Sequence, residues 1–425
     1  MRVGLLGEHL SHSYSPQIHR ALVGDRYTYE LYERAPDELA AFVAGSEWDA
    51  LNVTIPYKQA VMPYLDEISD EARRIGAVNT VTRLPDGRRR GDNTDYFGFL
   101  RTVTATGIDL RGKKALVAGN GGASATAVTV LRDLGADAVV LARNERPICG
   151  LTPEPFENAY TKHTDAEVVV NCTPLGMYPD LCGQSPLSLA KLPRVCAVFD
   201  MIYNPARTAL LQEATARGIP AYNGLCMLVA QAKRAAELFL GEPLPDGLIR
   251  PIVEDISRRN ESIILIGMPG CGKSTVASLL ARRLGRPLVD TDSMVEASAG
   301  RSIPDIFAAD GEAVFRQMES EAIRTAGMMS GAVIATGGGV VTQPRNLSPL
   351  SQNGKLVFIH RDLDLLATDG RPLSANGRLA EMYQVRLPLY RAFADVEVDN
   401  DGKPEETVQK ICAALGFPTR KDATT

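Results

Sequence analysis

Lys114-Ala115-Leu116-Val117-Ala118-Gly119-Asn120-Gly121-Gly122-Ala123-Ser124 is a short apolar run that ends in a glycine-rich turn and opens onto helix-forming residues. Glycines in such a turn let the backbone approach a pyrophosphate. The helix that follows aims N–H groups and a favourable dipole at it. The stretch predicts a strand, a dinucleotide loop and a helix of a parallel α/β unit, with Gly119, Asn120, Gly121, Gly122 and Ala123 on the cofactor. A second phosphate loop of different design lies downstream, in Ile263-Ile264-Leu265-Ile266-Gly267-Met268-Pro269-Gly270-Cys271-Gly272-Lys273-Ser274-Thr275. Its G-x-x-x-x-G-K-S spacing predicts a nucleoside triphosphate site. Backbone N–H groups from Gly270, Cys271, Gly272 and Thr275 cradle the phosphates, Lys273 reaches the β- and γ-phosphates, and Ser274 holds Mg²⁺. Two loops of different class imply two chemistries and no duplication.

Outward from these loops, strand-like runs at 3–7, 138–142, 167–171, 195–201, 332–336 and 355–360 alternate with helix-like segments at 124–134, 227–240 and 274–284. The alternation predicts parallel α/β sheets. The 425 residues fit two or three domains. Residues 1–104 form one lobe, on which a helical segment at 224–255 packs back, and 105–223 form a Rossmann-type cofactor lobe. A short linker at 256–261 leads to a P-loop domain at 262–417 and a polar tail at 418–425.

A hydrophobic content of 45% supports full cores. The formal charge of −5, without a block of one sign, argues against a nucleic-acid surface. Seven scattered cysteines without CxxC pairs suggest reduced thiols, and five histidines, none near a cysteine at ligand spacing, argue against zinc. No signal-peptide core and no run of ~20 apolar residues is visible. These features together predict a cytoplasmic protein without membrane contact, acting on small molecules. Oligomeric state is not legible.

Several polar clusters are candidates for chemistry. Ser13 and Ser15 can point the same way from an extended turn and bind a carboxylate. Lys58 ends the strand-like Asn52-Val53-Thr54-Ile55-Pro56-Tyr57-Lys58, and Asp95 ends the polar Gly91-Asp92-Asn93-Thr94-Asp95. A Lys and an Asp meeting in a cleft make an acid/base pair, in which the carboxylate holds the ammonium and tunes its pKa. Arg143, just beyond the second strand of the cofactor lobe, suits a ribose 2′-phosphate, whereas Glu145 nearby leaves NAD open. After the triphosphate loop, Asp290 and Asp292 either cap a helix or serve a metal and a substrate hydroxyl. Thr336-Gly337-Gly338-Gly339 implies a close backbone approach or a tight turn.

The first set resembles shikimate dehydrogenase over residues 1–255. It matches in Ser13-Tyr14-Ser15-Pro16, Asn52 to Lys58, Gly76-Ala77-Val78-Asn79-Thr80, Gly91 to Asp95, Gly119 to Ser124, Asn171-Cys172-Thr173, Asp200-Met201-Ile202-Tyr203 and Asn223-Gly224-Leu225-Cys226-Met227-Leu228-Val229-Ala230-Gln231. The resemblance implies NADP-dependent reduction of 3-dehydroshikimate to shikimate. It places Ser13 and Ser15 on the substrate carboxylate, and Thr54, Asn79, Tyr203 and Gln231 on its hydroxyls and neighbouring groups. Lys58 becomes the general acid/base with Asp95 as partner, and Thr173, Met201 and Gly224 line the cofactor side. The chain departs from the family where an Asn-Arg-Thr is usual, having Ala142-Arg143-Asn144, with Arg146 as a possible second cation. The stretch from Arg143 to Asn171 is also short.

The second set resembles shikimate kinase over about residues 261–416. It matches in Asp290-Thr291-Asp292, Gly300-Arg301-Ser302-Ile303-Pro304-Asp305-Ile306-Phe307, Gly311-Glu312, Phe315-Arg316, Thr336 to Gly339, Arg371-Pro372-Leu373 and Arg386-Leu387-Pro388-Leu389-Tyr390. The resemblance implies MgATP-dependent phosphorylation of the shikimate 3-hydroxyl. Asp292, Arg316, Gly338 and Arg386 would bind shikimate, Arg371 would come from a lid onto the transferring phosphoryl group, and Asp290 would support Mg²⁺ with Ser274. The lid is compact and lacks an Arg that many relatives place shortly before the lid Arg. Fused, the halves predict a bifunctional enzyme of consecutive steps. Two other readings are a quinate/shikimate dehydrogenase using NAD fused to the kinase, and a non-catalytic metabolite sensor.

Overall fold

A computed structural model describes residues 1–10, 13–366 and 379–417. Internal contacts divide the chain into two compact units. One comprises residues 1–177, 184–203 and 208–256, and the other comprises 178–183, 204–207 and the chain from 257 onward. Among the described residues no helix is long and apolar enough to cross a membrane. All seven cysteines are free thiols.

The first unit opens with strands β1 (Arg2–Gly7), β2 (Thr28–Glu33), β3 (Ala50–Val53), β4 (Glu67–Ile68), β5 (Thr80–Arg83) and β6 (Arg89–Asp92). They form one sheet of order β2-β1-β3-β5-β6-β4. β1 pairs parallel with β2 and β3, but β5 runs antiparallel to both β3 and β6. The expectation of parallel sheets fails at β5, whose short link to β6 makes that pair antiparallel. The short turn between β5 and β6 is closed by Leu84 N donating to Arg88 O, and it has no room for a crossover helix. One face of the sheet packs Leu6, Leu51 and Val53 against Phe42 and Trp48. The other packs Val3 and Ala50 against Ile18, Leu22 and the helix Leu225–Leu240, which thus returns to the first lobe as its sequence suggests.

Strands β7 (Lys114–Ala118), β8 (Asp137–Leu141), β9 (Val168–Asn171), β10 (Ala197–Asp200) and β11 (Ala221–Tyr222) form a wholly parallel sheet of order β11-β10-β9-β7-β8. Residues 115–118 are inaccessible to solvent, as expected of a strand covered on both faces. The strand order reverses beside β7, which opens a crevice at its carboxyl end. Between β8 and β9 the connection holds only the one-turn helix Asn158–Thr161. This is the structural form of the shortening visible in the sequence.

The second unit contains strands β12 (Ser262–Ile266), β13 (Leu288–Asp290), β14 (Val333–Ala335), β15 (Gly354–His360) and β16 (Val396–Asp399), all parallel in the order β13-β14-β12-β15-β16. β12 is central and fully buried, so the loop that leaves it is mounted on the stiffest part of the sheet. Residues 256–261, expected as a linker, prove to be the last turn of helix Ile249–Asn260 and the residue after it. Ile249, Ile252 and Ile256 recur at helical spacing and are buried in the first unit's core.

Candidate active sites

In the first unit the glycine turn sits at the carboxyl end of β7. Gly119 has φ +104°, which glycine adopts without strain, and a Cβ there would lie 3.2 Å from both the Cys172 carbonyl oxygen and Thr173 Cγ2. Gly121 caps helix Gly122–Asp133, and the Cβ positions of Gly121 and Gly122 are open space. An unobstructed glycine pair at a helix N-terminus fits a pyrophosphate. Asn120 Nδ2 donates to Asn144 Oδ1 at 2.6 Å and to Arg146 O at 3.2 Å, which ties the turn to the segment after β8. Thr173 N and Oγ1 donate to Asn171 Oδ1 at 2.9 and 2.7 Å. Gly224 N donates to Ile202 O at 3.0 Å, and any Cβ on Gly224 would overlap the Met201 carbonyl.

A cleft of about 350 Å³ joins Asn120, Gly121, Gly122 and Ala123 to Lys58, Gln59 and Arg146. Arg143 is exposed beyond β8 and does not line this cleft. Arg146 does, with Nη2 3.3 Å from Gln59 Oε1. β8 ends at Leu141, and Ala142 N still bonds Glu154 O, so the chain reaches the cleft only after this extra ladder bond.

Lys58 Nζ lies 2.7 Å from Asp95 Oδ2, both half-buried. Lys58 is held from behind by its carbonyl, which accepts from Val78 N at 2.7 Å. Asp95 stands in the first turn of helix Thr94–Thr104, where the dipole favours its negative charge. Asn79 and Gln231, both buried, meet across 152 residues of chain: Asn79 Nδ2 donates to Gln231 Oε1 at 3.5 Å, and Thr94 Oγ1 donates to the same oxygen at 3.3 Å. Asn79 Oδ1 accepts from Thr94 N at 2.7 Å. Close helix packing permits this, since a Cβ on Gly98 would lie 2.6 Å from Met227 O. Thr54 N donates to Leu6 O at 2.9 Å. Ser13 Oγ accepts from Ser15 N at 3.2 Å. The Tyr203 ring lies 5.5 Å from that of Tyr14, and burial raises the Tyr203 phenol above its ordinary pKa, keeping it a neutral donor.

In the second unit the loop after β12 carries Gly267, Gly270 and Gly272 at φ +154°, +84° and +91°. Lys273 opens helix Lys273–Leu284 and donates to the carbonyls of Gly267 and Met268 at 2.8 and 3.0 Å. Cys271 is fully buried under the loop. One cavity of about 360 Å³ is lined by Gly270, Gly272, Lys273, Ser274 and Thr275, and also by Asp290, Asp292, Arg316, Gly338 and Arg386. Asp290 caps helix Thr291–Ala299, its Oδ1 accepting from Asp292 N at 3.0 Å and Ser293 N at 3.2 Å. Asp292 is held at a pKa of about 6, first by burial and then by the negative charges of Asp290 and Glu319. The three-glycine turn is explained by protein side chains. A Cβ on Gly338 would lie 2.6 Å from Pro269 Cδ, and one on Gly339 would overlap the Arg316 guanidinium. Arg386 Nη1 and the Tyr390 hydroxyl both donate to Gly338 O. Arg371 lies outside the described residues.

Sequence reasoning overlooked three participants. Thr94 lay inside a quoted cluster without a role. Glu319, buried and 2.8 Å from Arg316 Nη1, follows Arg316 by one helical step. Asn400 is buried just past β16, donates to Cys271 O at 2.7 Å and accepts from Thr407 Oγ1 at 2.7 Å. Its one sequence signal is an Asp-Asn-Asp-Gly turn, which reads as an ordinary loop.

Comparisons with known proteins divide the chain the same way. The family model described as shikimate dehydrogenase substrate binding domain matches residues 5–81, and that described as shikimate kinase matches residues 269–416. A shikimate dehydrogenase (NADP(+)) of Thermosynechococcus vestitus is 36% identical over 271 residues, covering 59% of this chain and 94% of the relative. The solved chorismate mutase/shikimate 5-dehydrogenase fusion protein of Clostridium acetobutylicum aligns with a TM-score of 0.56 at 35% identity, over 60% of this chain and 96% of its own. The shikimate 5-dehydrogenase of Thermus thermophilus, solved with NADP(H) and shikimate, aligns with a TM-score of 0.53 at 33% identity, over 60% of this chain and 99% of its own.

Proposed function

Because the chain belongs to the shikimate dehydrogenase family and carries a shikimate kinase domain in its second half, we propose that it reduces 3-dehydroshikimate to shikimate and then phosphorylates the hydroxyl just made. The observation that carries this reading is that each phosphate loop shares a cavity with the groups its chemistry needs. Lys58 faces the dinucleotide loop, and Asp292, Arg316 and Arg386 face the triphosphate loop.

In the first site NADPH supplies the hydride. Lys58 delivers the proton to the ketone oxygen while Asp95 holds the ammonium in place. Ser13 and Ser15 bind the carboxylate, and Asn79, Gln231, Thr54 and Tyr203 orient the ring. Thr173, Met201 and Gly224 bound the cofactor side. Arg146, which lines the cleft, answers a 2′-phosphate. In the second site MgATP supplies the phosphoryl group. Arg316 and Arg386 bind the carboxylate, and Asp292 accepts a hydrogen bond from the 3-hydroxyl and orients it. Lys273 steadies the phosphates, Ser274 and Asp290 hold the metal, and Arg371 completes the phosphoryl contacts.

Supplying 3-dehydroshikimate, NADPH and MgATP together tests the reading. Shikimate 3-phosphate should accumulate, with one NADPH oxidised and one ATP consumed for each molecule formed. Accumulation of shikimate without phosphate, or no NADPH oxidation, would refute it. In the same assay Arg146→Ala should raise KM for NADPH about 10-fold or more and leave any NADH activity unchanged, because a charge-assisted bond contributes about 1.5–3 kcal/mol.

A further inference from the structure

Arg146 is an exposed residue at the first unit's cleft, and a long exposed cation meets a phosphate in one place only if something holds it. Its main chain is clasped to the glycine turn. Asn120 Nδ2 donates to Arg146 O at 3.2 Å and to Asn144 Oδ1 at 2.6 Å, and that same Oδ1 accepts from Arg146 N at 3.2 Å. Pro147 follows and disfavours a helical backbone at Arg146. The side chain crosses the cleft: Arg146 Nη2 donates to Gln59 Oε1 at 3.3 Å, and both residues line the cavity with Gly121 and Gly122. Arg146 belongs to the lobe of β7–β11. Gln59 belongs to the lobe of β1–β6, on the one-turn helix Tyr57–Ala60, directly after Lys58. That helix is itself fixed, since Tyr57 is buried, Val61 N donates to Tyr57 O at 2.9 Å and Lys58 O accepts from Val78 N at 2.7 Å. Each end of the bridge therefore rises from a held backbone.

The acceptor on Gln59 is neutral, and this decides what the bridge can do. An acidic side chain here would orient the guanidinium and at the same time cancel the charge that a phosphate needs. An amide oxygen orients without cancelling. Among the described residues Arg146 forms no ion pair with a carboxylate. A guanidinium is a fork of several N–H donors, so one N–H on Gln59 leaves the others for phosphate oxygens, and the bridge persists when the cofactor binds. We propose that Gln59 is a positioning residue for cofactor selection: it holds the Arg146 guanidinium in the cleft beside the glycine turn, so that a dinucleotide bearing a 2′-phosphate is taken in preference to one without it. The bridge restrains a side chain that otherwise loses its rotamer freedom on binding, and it does so before the cofactor arrives.

The inference rests on the NADP reading of the first site, and two adenosine fragments separate the two. 2′,5′-ADP carries the 2′-phosphate and 5′-AMP lacks it. Each is titrated into the full chain as a competitor of bound NADPH, followed by NADPH fluorescence, which leaves binding at the triphosphate loop uncounted. The wild type should bind 2′,5′-ADP the more tightly. If it does not, the 2′-phosphate reading fails and takes this inference with it. Given that preference, Gln59→Ala should weaken 2′,5′-ADP about 3- to 5-fold, the size of one ordinary hydrogen bond, and leave 5′-AMP unchanged. In kinetics KM for NADP⁺ should rise by the same factor, with turnover and KM for shikimate unchanged. On an Arg146→Ala background, Gln59→Ala should have no further effect on 2′,5′-ADP, since it acts through that guanidinium. Gln59 is exposed and Ala is a good helix former, so the substitution keeps the fold. An unchanged affinity for 2′,5′-ADP, an equal loss for both nucleotides, or additive effects of the two substitutions would overturn the proposal.

Discussion

At the scale of single residues, Asp292 carries the sharpest expectation. Burial and two neighbouring carboxylates hold it at about 6, above the ordinary 3.8. Accepting a bond from the substrate hydroxyl requires the ionised form, so kinase kcat/KM should fall as pH drops below about 6. Asp292→Asn should lower activity about 100-fold or more and remove that acid limb, seen in a pH profile of phosphate transfer. The stability sign runs the other way. A carboxyl with a raised folded pKa binds more protons folded than unfolded, so its stabilising share is full below about 4 and is lost as pH rises through 6. Lys273 was named from the spacing of its loop, and Lys58, Asp95 and Asp292 were named through the family resemblance. Asn400 was not picked out by the sequence. A buried Asn in a loop acquires its contacts only from what packs beside it.

At the scale of elements, the glycines mark where backbone meets backbone. Gly224 precedes helix Leu225–Leu240 and leaves no space for a methyl group against the Met201 carbonyl. Gly224→Ala should therefore destabilise the protein by about 1–3 kcal/mol through overpacking, read from urea unfolding. It should weaken NADPH binding and leave kinase kinetics unchanged. The helix-forming pattern of 227–240 was plain in the sequence, and its return to the first lobe follows from its apolar face. Two element-level expectations needed correction. The alternation of runs missed the short β5–β6 link, and the linker at 256–261 missed the helical spacing of Ile249, Ile252 and Ile256.

At the scale of the whole molecule, two phosphate loops serve two sites within one chain. Lys58→Ala should abolish dehydrogenase activity and spare the kinase, and Lys273→Ala should do the reverse, each assayed separately on folded protein. Loss of both activities from either change would contradict independent sites. The sequence by itself determined the two glycine-rich loops and the strands that carry them. All of these are local, and local geometry follows from neighbouring residues. Only the tertiary structure decided which side chains meet: Asn79 with Gln231, Asn400 under the triphosphate loop, and Arg146 rather than Arg143 at the cleft. Such meetings depend on where sheets and helices close upon one another, and that closure is set by packing over the whole chain rather than by any segment of it.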